Sequence, residues 1–149
     1  MNYCIELWEQ KPFHFHLSKK RVSKSGDFTC IHGRHPRITI NKDLHPFEFL
    51  ITYIHEVAHH HVHLRYAFRA EAHGTEWKRT FQELLAPLLT EQIFPNDILV
   101  SLSQHMINPK ASTYSDSALT KLLRSKDPRT ARSTLLSELP EGSVFDLNG

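Results

Sequence analysis

Asp43-Leu44-His45-Pro46-Phe47-Glu48-Phe49-Leu50-Ile51-Thr52-Tyr53-Ile54-His55-Glu56-Val57-Ala58-His59 is the stretch that decides how this chain folds. Proline is favoured at the first position of a helix and pushes the residue before it out of helical space, so a helix is expected to open there. From Phe47 onward Leu50, Ile54, Val57, Ala58 and Val62 recur at spacings of three and four. That is one buried stripe of a helix reaching to about Arg65. His55 and His59 lie off the stripe, four residues apart, and so project from one face one turn apart. Two imidazoles placed this way can grip one metal ion. Glu56 completes the pattern HExxH, in which such a glutamate reaches the metal-bound water and serves as its general base.

Outward from this helix the pattern changes. Upstream, Phe13-His14-Phe15-His16-Leu17 alternates apolar and polar with the period of a half-buried strand. Phe28-Thr29-Cys30-Ile31 and Arg37-Ile38-Thr39-Ile40-Asn41 read as two more strands, separated by the turn residues Ser25-Gly26-Asp27 and Gly33 to Pro36. A small antiparallel sheet is expected, packed on the HExxH helix. Residues 1–10 carry no clear pattern. Downstream, a linker containing Gly74 leads to a second helix from about Thr75 through Leu85, with Trp77, Phe81, Leu84 and Leu85 apolar. Ile98 to Met106 and Ser117 to Leu123 read as short helices, and Ser143-Val144-Phe145-Asp146-Leu147 as the start of a strand. The fold class is α+β. Residues 1–108 form the expected domain, with its core at about 10–90, and residues 109–149 a C-terminal extension that reads as shortened.

Composition excludes other classes. At 149 residues, with 40% hydrophobic and 23% charged residues, the chain is neither a disordered acidic tail nor a membrane protein. The N-terminus lacks a basic segment followed by an apolar one, so no secretory signal is expected. Cys4 and Cys30 form no CxxC, which argues against a disulfide scaffold and against a cysteine zinc ribbon. A cytoplasmic location is the expectation. A net charge of +2 selects no partner by itself. Histidine stands out: there are twelve, and His55, His59, His60, His61 and His63 fall within nine positions.

A zinc site needs a third protein ligand. The position six residues after His59 is Arg65, which excludes the metzincin spacing. Glu71, Glu76 and Glu83 are acidic candidates on or near the second helix. The other candidate is His73, where Gly74 would let the backbone turn sharply and bring the imidazole back to the first helix.

His55-Glu56-Val57-Ala58-His59 followed by His73-Gly74-Thr75-Glu76-Trp77-Lys78 resembles the SprT-like zinc metallopeptidase domain, the family that includes the eukaryotic Spartan proteases. Its pattern is HExxH, a loop, then HGxxF/W opening the next helix, and the similarity covers about residues 10–90. The resemblance implies a zincin-like fold, one Zn²⁺ per chain held by His55, His59 and His73, and Glu56 as the catalytic base. It also implies hydrolysis of peptide bonds in protein or peptide substrates. Many family members carry a cysteine zinc ribbon after the protease domain; this chain lacks one and looks most like bacterial members of that type.

Other residues carry weaker signals. His63 and Tyr66 are candidates to line the cleft and stabilise an oxyanion, and Glu76 to orient a ligand imidazole or to cap its helix. His60 and His61 read as solvent-facing, and Trp77 and Phe81 as core. Lys19, Lys20, Arg21 and Lys24 form a basic segment able to touch phosphates, so DNA stays open as a partner. Two alternative functions follow. One is a gluzincin-like peptidase with a glutamate as third ligand. The other is a non-catalytic, zinc-stabilised binding module acting on DNA or on a transcription or repair complex. No membrane partner is expected.

Overall fold

Ile38 and Ile40 are wholly buried, and they place β3 (Arg37–Asn41) at the centre of a three-stranded sheet. The computed structural model describes residues 2–128 of the chain. β1 (His14–Ser18) and β2 (Gly26–Thr29) flank β3 in the order β1-β3-β2. β2 pairs with β3 antiparallel, Phe28 opposite Ile38, but β1 pairs with β3 in parallel, Phe15 opposite Ile38. The sheet is therefore mixed, which corrects the antiparallel sheet expected from the sequence. Strand direction alternates along the chain as in a meander, but β3 inserts between the first two strands, where both edges of the most apolar strand are paired. Asn41 holds the β1–β2 crossover over the end of β3. Its side-chain amide donates to the carbonyls of Arg21 and Lys24, at 3.1 and 2.9 Å, and its oxygen accepts from Ser18 Oγ at 3.0 Å.

The described residues form an α+β fold with five helices. α1 (Asn2–Gln10) precedes the sheet, and α2 (Pro46–Tyr66), α3 (Thr75–Leu85), α4 (Asn96–His105) and α5 (Ser117–Lys126) follow it. The HExxH helix opens at the expected proline and runs one residue past the expected Arg65. Pro46 is its first residue, and the N–H of Phe47 donates to His45 Nδ1, closing the N-terminus. α2 packs between β2 and β3 on one side and α3 on the other. A helix held between two layers must be apolar over more than one stripe. Ile51, Thr52 and Tyr53 are accordingly buried beside the expected Ile54, Val57, Ala58 and Val62, whereas Leu50 is only half-buried.

α3 spans the expected residues, and Trp77, Phe81 and Leu85, four apart, are its buried row. Leu102 of α4 and Leu119 and Leu123 of α5 join the same core as α2 and α3. The strand expected near Val144 lies outside the described residues. None of the described helices is long and apolar enough to cross a membrane.

Candidate metal centre

One helical turn brings His55 Nε2 and His59 Nε2 to 3.2 Å of each other. The third group comes from the linker after α2. The chain leaves the helix through a short 3-10 turn, Ala67–Arg69, and returns so that His73 Nε2 lies 2.9 Å from His59 Nε2 and 3.2 Å from His55 Nε2. His73 itself has φ 61°, while Gly74 has φ −73° and is the residue before α3. The sharp turn thus falls on the histidine and not, as expected, on the glycine. A side chain at residue 74 would be crowded: a Cβ there would lie 3.1 Å from both the Cβ and the carbonyl oxygen of Glu71.

Among the described residues His55, His59 and His73 are the one group of three or more His, Cys, Asp or Glu side chains close enough to share a metal ion. Three imidazole nitrogens suit a tetrahedral ion at about 2.0–2.1 Å, which separates its ligands by about 3.3 Å. The two separations of 3.2 Å match this closely and the third, 2.9 Å, is shorter by an amount within the reach of small ring rotations. Trp77 backs all three rings, with centroids 4.7 Å from His55, 5.4 Å from His59 and 4.7 Å from His73, and Phe81 stacks behind Trp77. Burial lowers the pKa of each imidazole, His55 well below its usual value and His59 to about 4. Neutral rings keep the lone pairs that a metal requires.

Glu56 is 6% exposed. Burial raises its carboxyl to about 8, reinforced by the charge of Asp27 and opposed by a hydrogen bond from the Phe28 N–H and by Arg21 and Lys24. β2 passes so close that a Cβ on Gly26 would meet Thr52 Cγ2 at 2.7 Å and Glu56 Cγ and Oε1 at 3.0 Å. A cavity of about 200 Å³ opens beside His55 and Glu56, walled by Lys24, Ser25 and Gly26 on one side and by Ser112, Thr113 and Tyr114 on the other. The Tyr114 hydroxyl donates to Glu48 and lies 3.0 Å from Ser25 Oγ, fixing that second wall to α2 and to the β1–β2 crossover.

The other sequence candidates are scattered. His63 packs between Phe28 and Phe68, with ring centroids at 5.7 and 5.3 Å, and Tyr66 closes α2 under the Arg65 guanidinium. Neither lines the cavity beside Glu56. Glu71 and Glu83 are exposed. Glu76 sits in the first turn of α3 and, among the described residues, has no hydrogen bond to an imidazole. Of the basic segment, Arg21 is held by Asp27 and Asn41 and Lys24 pairs with Asp27 at 3.4 Å, whereas Lys19 and Lys20 are exposed.

His60 corrects its solvent-facing expectation. It is 1% exposed, packed between Phe13 and Phe28, with Nε2 3.2 Å from the Lys11 carbonyl oxygen. His61 is half-buried, with Nδ1 3.4 Å from Lys11 Nζ. Sequence reasoning missed Gly26, which looked like a turn residue, and the wall at residues 111–114, which has no motif at all. No family model, no curated protein and no solved structure matches this chain.

Proposed function

We propose that this chain is a zinc-dependent metallopeptidase of the SprT-like kind. The observation that carries the proposal is the convergence of three neutral imidazoles from α2 and the linker, with a buried carboxyl one residue away on the wall of a cleft. His55, His59 and His73 would hold the ion, and zinc suits their nitrogen donors. Bound there, zinc would supply Lewis acidity toward a scissile carbonyl and would acidify water.

The remaining chemistry belongs to the chain. Glu56 accepts a proton from the attacking water at its carboxylate and returns it to the leaving amine. Its burial beside His55 keeps the carboxyl on the wall of the cleft, where a water held at the three imidazoles would lie within its reach. The absence of a side chain at Gly26 leaves room for the carboxylate, the Phe28 N–H donates to it, and Asp27, Arg21 and Lys24 set the field around it. A purely structural site has no use for a buried carboxyl beside the metal, which favours an enzyme over a binding module.

The test compares metal content and hydrolysis of an unfolded protein substrate in wild type, His73→Ala and Glu56→Gln. About one zinc per chain is expected in wild type and Glu56→Gln, and little in His73→Ala. Hydrolysis should fall by about 10²–10⁴ in Glu56→Gln. Zinc retained by His73→Ala, or wild-type turnover by Glu56→Gln, overturns the proposal.

A further inference from the structure

β1 is an outer strand of the sheet, and among the described residues nothing pairs with its second edge. The two faces beside that edge differ in chemistry. Toward α2, Phe15 leans on Phe49 and Tyr53, with ring centroids at 6.4 and 5.9 Å. A hollow of about 410 Å³ lies between these rings and Ile5, Trp8 and Leu50. Ile5, Trp8, Phe15 and Leu17 remain between 43% and 52% exposed, a larger apolar surface than scattered single residues would give.

On the opposite face, His14 and His16 stand two apart on the strand and so on one side of it. With Arg34, His35 and Arg37 they border a second hollow of about 650 Å³ that, among the described residues, no carboxylate lines. Arg37 is the register partner of His14, whose ring lies 5.4 Å from that of His35. Phe15 borders both hollows, so they adjoin at β1, one on each face of the sheet. Neither shares a lining residue with the cleft beside Glu56.

We propose that this edge docks an extended segment of a partner protein in which apolar and acidic side chains alternate. A strand added to β1 satisfies the free backbone groups and sends successive side chains to opposite faces. One set enters the apolar hollow and the other meets Arg34 and Arg37. Charge decides between occupants. Pairing β1 with β1 of a second copy would bring the cationic faces together, which is unfavourable. A nucleic acid would use the cationic face and leave the apolar hollow uncovered.

The experiment measures binding of a labelled peptide of about nine residues, alternating valine and glutamate, which overhangs the five-residue strand. The full chain carrying Glu56→Gln keeps the peptide intact. Three comparison ligands are used: the same peptide with lysine for glutamate, the same composition in two blocks, and oligothymidine of equal length. The alternating acidic peptide is expected to bind at least about tenfold tighter than each of these. Arg34→Glu/Arg37→Glu, at two exposed positions, should reverse the preference between acidic and basic peptides, a gain that misfolding cannot imitate. Ile5→Glu should weaken the acidic peptide with both arginines in place. Equal binding of the acidic and basic peptides, or of the alternating and blocked ones, overturns the proposal. So does tighter binding of oligothymidine, a dimer in sedimentation that the peptide does not dissociate, or no peptide binding at about millimolar concentration.

Discussion

A methyl group at residue 26 has no room, and Gly26→Ala turns that into a measurement. The added Cβ would stand 2.7 Å from Thr52 Cγ2 and 3.0 Å from Glu56 Cγ and Oε1. Carbon atoms pack comfortably at about 3.5–4.0 Å, so β2 must move away from α2 by roughly 1 Å. Overpacking of this kind costs about 1–3 kcal/mol. For a chain of this length that corresponds to a melting midpoint lower by roughly 2–12 °C. The carboxyl of Glu56 is displaced in the same event, so hydrolysis should fall while metal content stays unchanged. Thr52→Ser removes the nearest clashing atom but leaves both contacts with Glu56. The double variant should therefore recover about 1 kcal/mol of stability relative to additivity and recover no hydrolysis. Thermal unfolding of the four proteins of this cycle, with metal content and peptide hydrolysis on each, is the assay. Gly26→Ala as stable as wild type, or stabilities additive to within about 0.3–0.5 kcal/mol, would refute the close approach of β2 to α2.

Two further outcomes follow from the same contacts. In the chain stripped of metal by a chelator, burial and then Asp27 raise the Glu56 carboxyl from 4.5 to about 8. The native state then binds a proton that the unfolded state has released, and stability falls as pH rises through this window. Glu56→Gln should stabilise the metal-free chain at about pH 8.5 and give no advantage near pH 4–5, as read by urea denaturation; an equal effect at both would contradict the buried carboxyl. Asn41→Ala leaves the carbonyls of Arg21 and Lys24 without their donor and should cost about 2–3 kcal/mol in urea denaturation. A loss under about 0.5 kcal/mol would mean that the crossover does not depend on it.

Local signals were legible and their assembly was not. Pro46 announced α2, Gly74 preceded α3, and the i, i+4 spacing of His55 and His59 placed two nitrogens together, because each is a matter of a few neighbouring residues. The sheet order depends on β3 pairing at both edges, and no pattern within β1 or β2 encodes which neighbour each takes. His60 was misread for a related reason. A helix between two layers buries more than one stripe, and a histidine on the second stripe looks solvated until Phe13 and Phe28 are placed around it. The wall at Ser112–Tyr114 reaches the cleft from more than fifty residues downstream of Glu56, a placement that sequence spacing does not carry.

His73 separates a metal centre from a merely buried histidine cluster. Its backbone adopts φ 61°, which costs a residue with a Cβ about 1–2 kcal/mol. Its imidazole stands among two others that burial keeps neutral, an arrangement with little to gain from hydrogen bonding alone. If the cluster exists to hold a metal, the side chain contributes little to the fold without one. His73→Ala and His73→Gly both remove the ligand, but glycine also relieves the strained φ. In a chelator, His73→Gly should be about 1 kcal/mol more stable than His73→Ala, and wild type should be no more stable than His73→Gly. With free metal at about a hundred times its Kd, wild type alone should gain about 2.7 kcal/mol. Wild type standing several kcal/mol above both variants in the chelator would make the three imidazoles part of the core, and the metal centre would lose its physical basis.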